Sequence, residues 1–408
     1  MHKHHSALGL AAPIGTDEVA AIAMTRPAQP VTLVRPHAAR RAARFFVEKF
    51  QGRSLYAVKA NPSPELIRLL WDSGITHYDV ASIAEVRLVS RVLEGRATLC
   101  FMHPVKSEES IREAYAEHGV RTFSLDSLEE LHKILRATGY ASDLTLCVRL
   151  RVASDYAKLS LASKFGAAPD ELKALLFATR QAADALGICF HVGSQAMSPA
   201  AYSQAMARVR DAIVDAAVTV DVIDVGGGFP SIYPGMEPAP LEDYFRVIEA
   251  AFEALPISYS AELWAEPGRA LCAEYASLLV RVEKRRGDQL YINDGAYGAL
   301  FDAAHVGWRF PVALVREGGS DVKPLGFSFY GPTCDDIDHM AGPFVLPGDV
   351  GAGDYIEIGM LGAYGCAMRT GFNGFTAGET VVAEDEPMAS AYIDATPDQE
   401  RASNVVTL

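Results

Sequence analysis

The stretch SLYAVKANPSPELIRLLWDSGITHYDVAS, residues 54–82, decides the fold. It begins and ends on short apolar runs, SLYAVKA and THYDVAS. Between them, PSPELIRLLWDSG repeats its apolar residues at helical spacing, starts on Pro and Ser and stops at Gly. The same unit recurs downstream: ATLCFMH, VRTFSLD, LTLCVRL, ICFHVGS, VIDVGGG and LWAEPGR bring the strand-like runs to eight by residue 269. Helical segments such as ASIAEVRLVSRVLEG and DSLEELHKILRATG separate them. Eight alternating units predict a (β/α)8 barrel. An open doubly wound sheet shares the alternation but calls for a GxGxxG after its first strand, which is missing here.

Past Arg269 the texture changes to β-rich runs such as YASLLVRVEKRR, QLYIND, FPVALVRE and DYIEIGML, broken by Gly, Pro and Asp. A second, mostly β domain of sandwich or barrel-like form is expected over residues 270–408, with the barrel over 30–269. The N-terminal segment 1–29 is too short to fold alone. PAQPVTLVRP, residues 27–36, is expected to add a strand to the β domain before the chain enters the barrel. The polar tail EDEPMASAYIDATPDQERASNVVTL is expected to fray.

Composition narrows the function. Of 408 residues, 50% are hydrophobic and 22% charged, which excludes extensive disorder. Acidic residues outnumber basic ones 51 to 37, and a net charge of −14 argues against a general nucleic-acid binder while leaving a cationic substrate unrepelled. No run approaches the ~20 apolar residues that cross a bilayer, and MHKHHSALGLAAPIG is a poor signal peptide. A cytoplasmic protein is expected. The six cysteines, Cys100, Cys147, Cys189, Cys272, Cys334 and Cys366, form no CxxC pair and read as reduced thiols, with no metal site implied. His2, His4 and His5 read as a solvated tail.

In such a barrel the active site lies at the carboxyl ends of the strands. The residues there are Lys59 and Asn61, Asp79 and Ser82, His103, Asp126, Arg149 and Arg151, His191 with Ser194, Gly226, Gly227 and Gly228, and Glu266 with Arg269. Glycines at a strand end let backbone N–H groups approach a phosphate, although three glycines also make an ordinary tight turn. Lys59, on an apolar strand, is typed as a Schiff-base nucleophile or as a lysine ion-paired inside the barrel. Phosphate cradle plus lysine points to pyridoxal 5′-phosphate, and Glu266 supplies the carboxylate that keeps its pyridine nitrogen protonated.

The ordered set YAVKANP, YDVAS, HVGSQ, DVGGGFP, EPGR, NDGAYG, YGPTCDDID and GAYG resembles the fold-type III, alanine-racemase-like pyridoxal-phosphate enzymes. Within these it resembles the basic amino-acid decarboxylases, ornithine decarboxylase in particular. The resemblance implies that Lys59 carries the cofactor with Asp79 beside it, that His191 stacks on the ring, and that Glu266 meets the pyridine nitrogen. Ser194, Gly226, Gly227, Gly228, Arg269 and Tyr364 would hold the phosphate, with Arg151 a further pocket residue. Cys334 would protonate Cα, while Asp294 and Asp335 would receive the distal ammonium of a basic amino acid. The implied reaction is decarboxylation of L-ornithine to putrescine and CO2, with L-lysine to cadaverine as a second activity, in a head-to-tail homodimer with shared active sites. The rivals are decarboxylation of lysine, diaminopimelate or carboxynorspermidine, a racemase, a non-catalytic pyridoxal-phosphate carrier, and a non-catalytic partner-binding homologue.

Overall fold

The computed structural model describes residues 16–392. It divides into two units: one comprises the chain up to Ala42, Ser231–Glu237 and Leu271 onward, the other Ala43–Pro230 and Pro238–Ala270.

The second unit is a closed, all-parallel eight-stranded barrel. Its strands are Arg53–Ala57, His77–Val80, Thr98–Phe101, Thr122–Leu125, Thr145–Arg149, Ala185–Cys189, Val222–Asp224 and Glu262–Ala265. Each overlaps one of the eight runs read from the sequence, the sixth strand starting three residues ahead of ICFHVGS. The seam closes where Trp264 pairs with Arg53 and Ala265 with Ser54. Strands covered on both faces must be apolar on both faces, and the interior is filled by Leu55, Cys100, Met102, Cys147, Cys189, Val222 and Trp264. Cysteine serves here as a small hydrophobe, and burial pushes the thiols of Cys100, Cys147 and Cys189 upward. Gly187 makes room for one of them, since a Cβ on it would sit 2.5 Å from Cys147 Sγ.

Serines start three of the outer helices: Ser82, Ser107 and Ser127 accept from the backbone N–H of Glu85, Ser110 and Glu130, each cap contributing about 1 kcal/mol. An aromatic cluster packs under the glycine run. Phe229, which follows it, stacks on Tyr202 at 5.2 Å and meets Phe46 edge-on at 5.4 Å. The loop is thereby fixed to the barrel wall.

In the other unit the long strand Ala276–Arg286 is the spine of an eight-stranded mixed sheet. A bulge between Val282 and Lys284 redirects its pairing. Strand Val31–Val34 pairs antiparallel with the spine and parallel with Thr380–Val382, so the expected N-terminal strand joins the β sheet. Ahead of it Thr16–Met24 is helical.

The expectation of a fraying tail fails for residues 384–392. Arg35, 1% exposed, binds Glu357 and Asp385 at 2.8 Å each and Ser277 Oγ at 2.7 Å. Glu274 accepts from Ser390 Oγ at 2.7 Å and Ala391 N at 2.8 Å. Removing one member of such a buried charged set typically costs about 3–5 kcal/mol, so these polar residues are structural. The N-terminal histidines and residues 393–408 lie outside the described residues.

Candidate active site

The first barrel strand ends at Ala57 and passes into one 3-10 turn, Val58–Ala60. Val58 and Ala60 are buried, and between them Lys59 reaches the barrel's open end with its side chain 43% exposed. Its Nζ donates to Asp79 Oδ2 at 3.1 Å. Asp79 ends the neighbouring strand and is buried. The pair holds an amine at the barrel's open end with a fixed counter-charge.

Across the barrel, His191 follows the sixth strand. Burial, Lys59 and Arg149 push its ring well below the usual histidine range, so it is neutral. Its Nδ1 accepts from the Gly193 N–H at 2.9 Å, which puts the hydrogen on Nε2. Gly227 lies against it: a Cβ there would sit 3.1 Å from His191 Nε2 and 2.9 Å from the Glu266 carbonyl. Gly226 and Gly228 have φ of 67° and 107°, a region that favours glycine.

The Gly227 carbonyl accepts from Tyr202 OH at 3.1 Å and the Gly228 carbonyl from Ala196 N at 2.9 Å. Because a trans peptide sets N–H opposite C=O, the N–H groups of Gly228 and Phe229 face the other way. A cradle closed to side chains with N–H groups turned outward fits a phosphate.

Glu266 is buried, and its N–H donates to the Gly226 carbonyl at 2.9 Å. Asp224, last in the seventh strand, shares that space. Its Oδ1 accepts from Gly226 N at 2.8 Å, while its Oδ2 is buried without a partner. Burial, with Asp79 nearby, pushes Asp224 up to about 6, while burial and the charges of Asp224 and Asp79 push Glu266 well above the usual carboxylate range. Two carboxyls that ionise only reluctantly, one with an unmatched oxygen, suit a ring nitrogen that arrives with a proton. The residues present therefore fit pyridoxal phosphate.

Around this centre Arg269 is buried, and Ser194 begins a short strand that pairs with Ala157–Leu159. Arg149 lies 5.6 Å over the Phe165 ring, and the His103 ring meets the same phenyl at 4.9 Å. Asp126 Oδ2 accepts from Gly166 N at 2.9 Å. Arg151 is exposed, with Gly166 against its backbone.

Tyr364, Asp294, Cys334 and Asp335 belong to the β-rich unit. Tyr364 has φ 61°. Cys334 and Asp335 line a cavity of about 1010 Å³ that Tyr291 and Tyr330 also wall. Asp335 Oδ2 accepts from Tyr297 OH at 2.5 Å, which holds its carboxyl below the usual range. Asp294, in contrast, is buried with both oxygens engaged: Oδ1 by the N–H groups of Gly295 and Ala299, Oδ2 by Arg369 at 2.7 Å. Of the two aspartates, Asp335 is the one at the cavity wall.

Sequence reading missed three contributors. Asp224 stands directly ahead of the glycine run in VIDVGGG, where a carboxylate in an apolar strand was a visible signal. Asp338, in the quoted YGPTCDDID, is buried and pins that loop by accepting from Ala296 N, Thr333 N and Thr333 Oγ1. Asn373, in FNGF, contacts Cys334; an Asn-Gly pair signals a turn but not its target.

A parallel barrel joined in one chain to a β-rich unit that takes in the N-terminal strand is the architecture of the fold-type III pyridoxal-phosphate enzymes. The family model described as "Pyridoxal-dependent decarboxylase, pyridoxal binding domain" matches residues 37–273, and the chain belongs to that family. It is 33% identical over 359 residues to a lysine/ornithine decarboxylase of Selenomonas ruminantium, covering 86% of this chain and 88% of that one. Two solved structures are also similar. The arginine decarboxylase of Paramecium bursaria Chlorella virus bound to agmatine has a TM-score of 0.79 at 26% identity, over 90% of this chain and 99% of that one. The lysine/ornithine decarboxylase of Vibrio vulnificus complexed with putrescine has a TM-score of 0.75 at 27% identity, over 90% and 97%. The protein is accordingly a pyridoxal-phosphate-dependent decarboxylase of the basic amino-acid group. No helix among the described residues is long and apolar enough to cross a membrane.

Proposed function

We propose that the enzyme decarboxylates L-ornithine to putrescine and CO2, and accepts L-lysine to give cadaverine as a second activity. The observation that carries this reading is Asp335: a carboxylate held ionised by Tyr297, adjacent in sequence to the thiol of Cys334, at the wall of a cavity. A distal ammonium would be received there by a charge-assisted hydrogen bond, whereas the second carboxylate of diaminopimelate would be repelled. The relatives named for lysine and ornithine support the same choice. One methylene separates ornithine from lysine, worth only about 1–3 kcal/mol of discrimination.

When bound, pyridoxal phosphate would supply a carbonyl carbon for the substrate amine and a ring that takes up the electron pair left at Cα as CO2 departs. Lys59, its amine fixed by Asp79, would anchor it covalently. His191, a neutral imidazole, would lie against the ring. Glu266, backed by Asp224, holds the proton on the ring nitrogen. Gly226, Gly227 and Gly228 with Ser194, Arg269 and Tyr364 grip the phosphate, and Arg151 borders the pocket. Cys334 delivers a proton to Cα after CO2 leaves. Asp335 receives the distal ammonium, with Asp294 behind it anchoring Arg369.

The working form is a head-to-tail homodimer with shared active sites, in which Cys334, Asp335 and Tyr364 enter a pocket completed by both subunits. Six free cysteines support the cytoplasm as its compartment. The test is CO2 release from the cofactor-loaded protein with ornithine, lysine, arginine and meso-diaminopimelate in parallel. Release fastest from ornithine is expected; release from arginine or diaminopimelate ahead of both shorter diamino acids would overturn the assignment.

A further inference from the structure

We infer that Asn373 is the positioning residue of the proton-donating thiol, its side-chain carbonyl aiming the S–H of Cys334. Asn373 Oδ1 accepts from Cys334 N at 3.2 Å and from Cys334 Sγ at 3.3 Å. The first contact settles the second, because a backbone N–H can only donate and so the amide oxygen, not the nitrogen, must face Cys334. The thiol therefore meets an acceptor, and its hydrogen has one preferred direction instead of free rotation about Cβ–Sγ.

The backbone at this position is built for the task. Asn373 has φ 53° and ψ 14° in the turn Phe372–Gly374, and Gly374 follows with φ 79°. Asn is among the few residues with a side chain that tolerate this conformation. Glycine would satisfy the turn, but only a side chain reaches Cys334.

The turn itself is fastened to the element that holds Asp335. Thr370 N donates to the Tyr297 carbonyl at 2.8 Å, and Phe372 N donates to Thr370 Oγ1 at 3.2 Å. The rings of Phe372 and Tyr297 lie 4.8 Å apart, while Tyr297 OH holds Asp335. Arg369, one residue earlier, is anchored on buried Asp294. Cys334 and Asp335 are thus oriented together by one assembly, the thiol by Asn373 and the carboxylate by Tyr297.

The inference rests on Cys334 as the donor to Cα. In that step the S–H bond breaks, the proton forms the C–H bond at Cα, and the electron pair stays on sulfur as thiolate, which recovers a proton from water. With a misdirected thiol the proton would be taken up away from Cα; bound pyridoxal phosphate would retain the substrate nitrogen, water would supply an oxygen, and a carbonyl compound would replace the amine product.

The test compares Asn373→Gly, which keeps the turn but removes the acceptor, with Asn373→Asp, which keeps an acceptor oxygen, in the cofactor-loaded enzyme. Two quantities are read: the ratio of carbonyl to amine product from the amino acid that releases CO2, and the rate of Cys334 alkylation by iodoacetamide without substrate, followed on its peptide by mass. Asn373→Gly is expected to raise both about fivefold, the weight of one neutral hydrogen bond, and Asn373→Asp to return both to near wild type. No change in either quantity for Asn373→Gly overturns the positioning role. If Cys334→Ala itself leaves the product ratio at the wild-type value, the donor assignment fails and the inference falls with it. A shifted ratio in Cys334→Ala beside an unshifted one in Asn373→Gly overturns the inference alone.

Discussion

In the barrel, Glu266 and Asp224 share a buried space in which burial raises both carboxyls and Asp224 raises Glu266 further, and an oxygen of Asp224 has no partner. In the β-rich unit, Asp335 sits at a cavity wall with the Tyr297 phenol donating to it and is held ionised. The first carboxyl pair is arranged around a charge still to arrive. The second carboxylate is set in advance by its own neighbours. Cofactor capture in the barrel should accordingly be linked to protons and sensitive to each side chain, whereas the Cys334 loop should affect what happens to a substrate without affecting whether cofactor binds.

The largest effect should come from the barrel's open end. Lys59→Ala is expected to abolish the visible absorbance of the cofactor-loaded protein and to bring CO2 release to background, and a spectrum like wild type would break the contrast at once. Glu266→Gln should lower turnover about 10²–10³-fold, the usual scale for removing a preorganised electrostatic partner; a loss below about tenfold would take Glu266 off the ring nitrogen. On the other side of the comparison, Cys334→Ala should keep the absorbance while turnover drops about 10²-fold, the scale of general-acid loss. Loss of bound cofactor in that variant would erase the distinction between the two regions.

The pH dependence sharpens it. A carboxyl raised to about 6 in the folded barrel holds a proton that the unfolded chain releases near pH 4. Its contribution is most favourable below pH 4 and is lost as pH rises toward 6. The Tm of cofactor-free protein should therefore show a downward component over that window, and Asp224→Asn should flatten it; an unaltered slope would deny the buried pair. The smallest effect is expected of Tyr297→Phe, which removes one hydrogen bond to Asp335 and should raise KM for the diamino acid about fivefold with kcat nearly kept.

Much of the barrel was legible because its signals are local. A short apolar run, a Ser or Pro start, a helical spacing and a Gly stop can all be read within one unit, and Lys59, Asp79, His191 and Glu266 stand at the ends of such runs. What escaped was non-local. Asp385 and Ser390 read as solvated polar residues because their partners, Arg35 and Glu274, are far away in sequence. Asp294 and Asp335 looked equivalent as acids. Only the fold separates them, through Arg369 and two N–H groups on one and Tyr297 on the other. Asn373 could be read as a turn former, but its reach to Cys334 across 39 positions could not.

The pairing of Val31–Val34 with Thr380–Val382 and the grip of Arg35 on Asp385, 350 positions apart, has a consequence for synthesis. At about 5–20 residues per second a ribosome needs about 20–70 s to deliver the second partner after the first. The barrel segments emerge in order within that interval and can close as they appear. The opening strand waits unpaired until the spine Ala276–Arg286 emerges, and keeps one apolar edge available to another nascent chain until Thr380–Val382 follows. Quality control of this enzyme during translation therefore falls on one short strand that is made early and completed last.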